Sequence, residues 1–390
     1  MITGVDGYLG WSLALHLASK GHTIAGIDDY SRRRWVGEMG SHSAIPIAKM
    51  DKRLAAFRGT FGTSLQFFKG DLCDYNFVLN AYKSFKPDAI VYLGQMPSAP
   101  YSMIDVHHAV YTQNNNVTGA LVTLFAMREV CPEAHLVKLG TMGEYGTPNV
   151  DIPEGMFELE FRGRKDTVMF PRKAGSWYHQ SKVHDSYNVE MACRHWGLCA
   201  TDVMQGFVYG TQIDVMREDD ALRTRFDFDE SFGTAINRFC CQAVIGMPLT
   251  PYGSGKQTRG AIPLRDSVQC LELAVTNPPE RGEYRVFNQF EETYNVYELA
   301  ETVKRVGDRH GLGVEINPLE NPRIEDEEHY FNPDHQHLLD LGYQPTHDMK
   351  TELELVLNDL MPHRERIEAR EDCLVPKIRW DGGRERSRVL

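Results

Sequence analysis

The sequence predicts a doubly wound α/β protein built on a central parallel sheet. Three observations carry that expectation. Short apolar runs alternate with helical patterns up to residue 206, a glycine-rich turn joins the first run to the first helix, and a Tyr and a Lys stand four apart on a later helix.

The elements follow in order. Met1-Ile2-Thr3 is a short first strand. Buried parallel strands usually run about 5–6 residues, so the true start is expected upstream, or the chain is trimmed. A helix over 8–20 stops at Gly21, and strands are expected at 23–28, 66–71, 89–93, 135–139 and 201–205. Helical patterns separate them, including long ones over 108–130 and 178–195. Beyond Gly206 charges crowd between short apolar runs, the pattern of a smaller lobe. The acidic run Glu325-Asp326-Glu327-Glu328 reads as a helix face, and the basic stretch from Arg379 to Leu390 as a solvated tail.

Composition narrows the class. With 390 residues, 42% of them hydrophobic and 25% charged, the chain is an ordinary soluble globular protein of one large or two closely joined domains. A net charge of −12 disfavours nucleic acid or an anionic membrane as partner. The eight cysteines show no C-x-x-C pair and Cys240-Cys241 is not a metal-ligand spacing, so they read as buried free thiols and no metal is expected. No apolar run approaches the ~20 residues of a membrane span, and no signal-peptide pattern precedes Gly4. A cytoplasmic protein is expected.

The chemistry sits in two motifs. Gly4, Gly7 and Gly10, with Tyr8 and Leu9 between them, form a G-x-x-G-x-x-G turn opening a helix. There a pyrophosphate rests on backbone N–H groups. Asp28 closes the second strand 18 residues after Gly10, in position for the adenosine ribose hydroxyls, and its charge favours NAD+ over NADP+. Arg32, Arg33 and Arg34 leave room for the opposite reading. Asp71, with Leu72 beside it, follows the third strand and approaches the adenine. Residues 1–206 are thus expected to form a Rossmann-type NAD-binding domain with the catalytic residues. Residues 207–390 mainly form the substrate lobe, with interleaving allowed.

Tyr178 and Lys182 share one helix face. Tyr178 is the candidate base for an alcohol O–H, and the ammonium of Lys182 and a nicotinamide cation favour its phenolate. Thr141, ending the fifth strand, shares a hydrogen bond with the same hydroxyl. His179 is expected to shuttle protons, since a His changes charge near neutral pH.

These residues match the extended short-chain dehydrogenases/reductases, and longer motifs narrow the match. Ser98-Ala99-Pro100-Tyr101-Ser102-Met103-Ile104-Asp105, Leu139 to Pro148, Tyr178 to Asp185, Gly255 to Gly260, Arg285 to Phe290, Asn321-Pro322-Arg323 and Glu327 to Tyr330 together resemble the UDP-sulfoquinovose synthase family, from Gly4 to about Leu341. The resemblance implies tightly bound, recycled NAD+, an NDP-sugar substrate and a homodimer paired through the two long helices. It implies oxidation at C4, loss of water across C5–C6, addition of a nucleophile at C6 and return of hydride to C4. Carried onto this chain, it places Ser98, Tyr101, Met142, Gln205, Arg259, Arg323 and His329 at the substrate.

Two departures matter. Sugar 4,6-dehydratases carry Asp-Glu after the Thr, where this chain has Met142-Gly143. The sulfoquinovose synthases carry Glu-Gln-Arg where this chain has Gln95-Met96-Pro97. Proline offers sulfite no charge, and desolvating an anion without a cation is costly. Net epimerisation or dehydration of an NDP-sugar, including one extended beyond C6, is therefore the first expectation. Sulfoquinovose synthesis is the second, and a non-catalytic NAD/sugar-binding module the third.

Overall fold

The computed structural model describes residues 1–326 and 328–381. Its strands are β1 (Ile2–Thr3), β2 (Ala25–Asp28), β3 (Gln66–Lys69), β4 (Ala89–Tyr92), β5 (His135–Thr141), β6 (Met156–Phe161), β7 (Arg164–Met169), β8 (Cys199–Gln205), β9 (Phe207–Tyr209), β10 (Thr258–Pro263), β11 (Tyr284–Gln289) and β12 (Glu292–Asn295).

Seven of these form one parallel sheet in the order β11-β8-β5-β4-β1-β2-β3. Strand order reverses between β1 and β4. Their C-terminal ends open there into the crevice where doubly wound sheets hold a dinucleotide. All six expected strands are present. β11 was not among them: it lies past Gly206 yet pairs with β8 along its whole length. Its sequence, Tyr-Arg-Val-Phe-Asn-Gln, gives no clean apolar run, because polar Asn288 and Gln289 are themselves buried and hydrogen-bonded.

The helices Tyr8–Ser19 and Leu264–Thr276 pack together on one side of the sheet. Val106–Val130 and Trp177–Trp196 pack on each other. Beyond Gly206 a second core gathers Ala235–Ile245, Val296–Arg309 and Met349–Leu360. The small sheet β12-β10-β9 lines its border with the large one. β6 and β7 form a separate antiparallel hairpin.

Two expectations are corrected. The acidic run is not a helix face: Glu325, Asp326 and Glu328 lie in irregular chain, where Glu325 pairs with Arg259 and Glu328 with Lys256; Glu327 lies outside the described residues. Nor is the start of the basic tail solvated throughout. Arg379 pairs with Glu320, and the Trp380 N–H donates to the Pro322 carbonyl (3.0 Å). Residues 382–390 lie outside the described residues.

Candidate active site

One cavity of about 880 Å³ runs from the glycine turn to the C-terminal lobe. At its cofactor end the turn tolerates only glycine. A Cβ on Gly10 would fall 2.1 Å from the Gly4 carbonyl oxygen, and one on Gly4 (φ +72°) 2.9 Å from the backbone of Gly94. Both glycines line the cavity with Gly7, Tyr8, Leu9, Asp71 and Leu72. Asp28 also lines it, its carboxylate accepting from the backbone N–H groups of Asp6 (2.8 Å) and Tyr30 (2.6 Å). Burial, with Asp6 adding to it, pushes Asp28 up to about 6. The bare glycine turn and this inward carboxylate fit a dinucleotide.

The three arginines that left NADP+ open are engaged. Arg33 makes a two-point pair with Asp6 (2.6 and 2.8 Å), Arg34 pairs with Asp29 (2.7 Å), and Arg32 with Asp227 (2.8 Å). A 2′-phosphate would have to break one of these pairs.

At the middle, Thr141, Met142, Gly143, Tyr178 and His179 line the same wall. Ser176 caps the Trp177–Trp196 helix by accepting from the His179 N–H (3.2 Å), and its hydroxyl also lies 3.0 Å from His179 Nδ1. The cap therefore fixes the ring as well as the backbone. The Thr141 turn is held from behind: Glu144 Oε1 accepts from the Thr141 N–H and from Lys138 (3.3 Å each), and its other oxygen is paired to Arg172. Lys138 also reaches Asp202 (3.1 Å). This ionic cluster is fully buried, so removing one partner would strand a charge.

The electrostatics correct two expectations. Burial, with Glu144 and Asp185 adding to it, raises the Tyr178 phenol well above its ordinary range rather than favouring phenolate. Burial, with Arg323, Arg259 and Lys182, pushes His179 down to about 3, so the imidazole stays neutral near pH 7 instead of switching there. Lys182 is set behind the wall. Its Nζ lies 5.9 Å from the Tyr178 ring centroid and donates to the Leu139 carbonyl (2.7 Å) and to Gln95 Oε1. Gln95 in turn donates to Asp185 (2.5 Å). Burial and Lys138 lower Lys182 to about 8, and burial raises Asp185 to about 7.

Toward the C-terminal lobe the wall includes Ser98, Met142, Gln205, Arg259, Arg323 and His329, which the structure brings together on one cavity. Arg259 donates to Glu325 (2.6 Å) and lies 3.1 Å from His329 Nε2. Tyr101 is a correction: it is buried, its hydroxyl donates to Glu38 (2.9 Å), and it packs with Trp35, Met96 and Phe232 instead of lining the cavity. Several lining residues escaped the sequence, among them Asn237, Arg238 and Gln257. The Gln257 side chain is buried with both polar atoms unpartnered. Gln257 lies inside the Gly255 to Gly260 motif, whereas Asn237 and Arg238 stand beside no motif and carried no local signal.

The departures at 95–97 separate in space. Met96 is buried behind the wall, Gln95 is largely buried but still reaches the cavity, and Pro97 is the exposed one of the three.

A Rossmann-type sheet carrying a glycine turn, an inward Asp and a Thr/Tyr/Lys set defines an NAD-dependent enzyme of the short-chain dehydrogenase/reductase kind. Residues 1–289 match the NAD-dependent epimerase/dehydratase family, and the chain belongs to it; its cofactor is NAD. Two curated relatives resemble nearly the whole chain. UDP-sulfoquinovose synthase of Sulfolobus acidocaldarius is 48% identical over 97% of both chains. The chloroplastic UDP-sulfoquinovose synthase of Spinacia oleracea is 47% identical over 97% of this chain and 78% of its own. Among solved structures, UDP-glucose 4-epimerase of Thermotoga maritima and UDP-glucuronic acid 4-epimerase of Bacillus cereus share the fold. Each has a TM-score of 0.69 at 16% identity over 93% of this chain and 98% of the other. No helix among the described residues is long and apolar enough to cross a membrane.

Proposed function

We propose that the protein oxidises C4 of an NDP-sugar transiently and then epimerises or dehydrates it at C5/C6, including sugars extended beyond C6. The observation that carries this reading is the convergence of Thr141, Tyr178 and His179 on one cavity wall between the glycine turn and the Arg259/Arg323 end.

Gly4, Gly7, Gly10 and Asp28 would hold NAD+, which supplies the hydride acceptor for C4. Thr141 and Tyr178 bind the C4 hydroxyl, and Tyr178 takes its proton. The phenol is protonated in the free protein, so the Lys182 ammonium and the positive charge that NAD+ would bring are what deprotonation needs. A C4 ketone acidifies the C5 hydrogen. His179, neutral and beside Tyr178, is the base that removes it. Met142 and Gly143 carry no acid, so the protonated His179 returns that proton to the departing C6 oxygen. Water then adds back across C5–C6 of the 4-keto-5-ene, with the proton regained at C5, and hydride would return to C4 with the Tyr178 proton on its oxygen, giving the epimer; hydride return without water addition would give the dehydrated 5-ene sugar. In this proposal residues 1–206 carry cofactor and catalysis and 207–390 chiefly the nucleotide sugar.

A second reading, sulfoquinovose synthesis from UDP-glucose and sulfite, is favoured by the near full-length similarity to two such synthases. Against it stands Pro97, which brings no charge to the cavity. Lys173, which lines the same cavity, is the cation that sulfite would use. Incubation with UDP-glucose, with and without sulfite, followed by mass spectrometry, decides between them: a sulfonated product establishes the second reading. Tyr178→Phe should abolish C4 oxidation, whereas His179→Ala should keep it and stop exchange of the C5 hydrogen with deuterated water. Exchange at the parental rate in the His179 variant would remove His179 from the mechanism.

The proposal includes a homodimer paired through the two long helices, where Val106, Val110, Tyr187 and Met191 are exposed apolar residues. It also includes a cytoplasmic location, supported by eight cysteines that are all free thiols.

A further inference from the structure

The last described stretch of the chain runs back over the Arg323 end of the cavity. Glu230 accepts from the backbone N–H groups of Lys377 (2.6 Å) and Ile378 (3.0 Å). Arg238 donates to the Leu374 carbonyl (3.2 Å), and the Glu230 N–H to that of Cys373 (3.2 Å). These contacts deliver Trp380 to the cavity wall, where its ring lies 5.1 Å from the Arg323 guanidinium carbon. The Trp380 N–H donates to the Pro322 carbonyl and Arg379 pairs with Glu320, so the segment is tied to the chain just before Arg323.

A guanidinium stacked on an aromatic face keeps its N–H edge free for a planar or tetrahedral anion. Arg323 stands near Arg259, whose charge is already paired with Glu325, so Arg323 is the guanidinium at this end available to an anion. Free, a long arginine side chain loses rotamer freedom when it clamps a ligand; stacked, it has already lost part of it.

We propose that Trp380 is a positioning residue of the substrate site: its indole holds Arg323 edge-on toward the diphosphate of a nucleoside diphosphate. The C-terminal segment is then part of the site and not a tail. This rests on the NDP-sugar reading above.

The experiment uses the full chain as purified with its NAD and measures binding of UDP, with GDP in parallel and uridine as the control without phosphates. Trp380→Ala should weaken UDP binding by roughly tenfold and uridine binding little, and Trp380→Phe should recover most of the loss. Combining Trp380→Ala with Arg323→Ala should weaken binding no further than Arg323→Ala alone, because the ring acts through the arginine. NAD content and unliganded melting temperature should match the parent. Parental UDP affinity in Trp380→Ala, additive losses in the double variant, or a loss of NAD and melting temperature together would overturn the proposal. Failure of the parent protein to bind any nucleoside diphosphate would instead sink the NDP-sugar reading.

Discussion

Nε2 of His179 stands where a side chain on residue 143 would go: a Cβ built on Gly143 falls 2.3 Å from that nitrogen. The missing acid after Met142 and the presence of His179 are therefore one steric choice. A 4,6-dehydratase-type acid at 143 and this imidazole cannot share the space. Gly143→Ala should displace the ring from its place beside the Ser176 hydroxyl, which lies 3.0 Å from Nδ1. We expect C5 exchange to fall by at least about tenfold with C4 oxidation retained, a loss of the size general acid–base groups contribute. Unchanged exchange in this variant would mean His179 works from a different rotamer.

The neutrality of His179 has a stability signature. Its folded pKa, about 3, lies below the ordinary imidazole value of 6.5. Between those values the unfolded chain binds the extra proton, so stability is full above pH 6.5 and is lost as pH falls toward 3. The slope from this one group approaches about 1.4 kcal/mol per pH unit. Urea unfolding at pH 7 and pH 5 should show a smaller difference for His179→Gln than for the parent. Equal differences would show that the imidazole is not held neutral by the fold.

With Asp28 as the proposed ribose ligand, cofactor retention should depend on pH. At about 6 its carboxyl takes up a proton as pH falls, and the ribose hydroxyls lose a charged acceptor. Dialysis at pH 5 should strip more NAD than dialysis at pH 8, and Asp28→Asn should lower retention at pH 8 without gaining NADP+. Arg33 and Arg34 remain committed to Asp6 and Asp29 in that variant. NADP+ copurifying with either protein would contradict the assignment.

Pro97 and Gln95 should act on different observables. Pro97 is the exposed residue of the three on the cavity wall, so Pro97→Arg should raise sulfite-dependent product by about one to two decades, the worth of a charge-assisted contact of roughly 1.5–3 kcal/mol. Gln95→Glu instead places a carboxylate beside Lys182 and should move the alkaline limb of the pH–rate profile up by about one unit. Efficient sulfite use by the unaltered enzyme would show that Pro97 excludes nothing.

The exposed apolar residues of the two long helices should be covered by a second copy. Val110 is 50% and Met191 41% exposed, on helices that pack together. Val110→Glu with Met191→Glu should convert a dimeric light-scattering mass into a monomeric one, since two-fold pairing repeats each buried charge. A monomeric parent at micromolar concentration would end this part of the proposal.

What the sequence determined by itself was what local rules encode. Alternating apolar runs defined six parallel strands, glycine spacing marked the turn at Gly4–Gly10, and the spacing of Tyr178 and Lys182 put both on one helix. Such features depend on neighbours within one turn or one strand. The tertiary structure decided what distant segments bring together. β11 completes the sheet from beyond Gly206 because its buried Asn288 and Gln289 are satisfied by partners far along the chain. Tyr101 turns away from the cavity into a cluster with Trp35 and Phe232. His179 is neutral and Tyr178 protonated because burial outweighs the chemistry their side chains show in water. Trp380 reaches Arg323 only because Glu230 and Arg238 anchor the strand of chain that carries it. Charge state and long-range contact are properties of enclosure, and no local pattern writes them into a sequence.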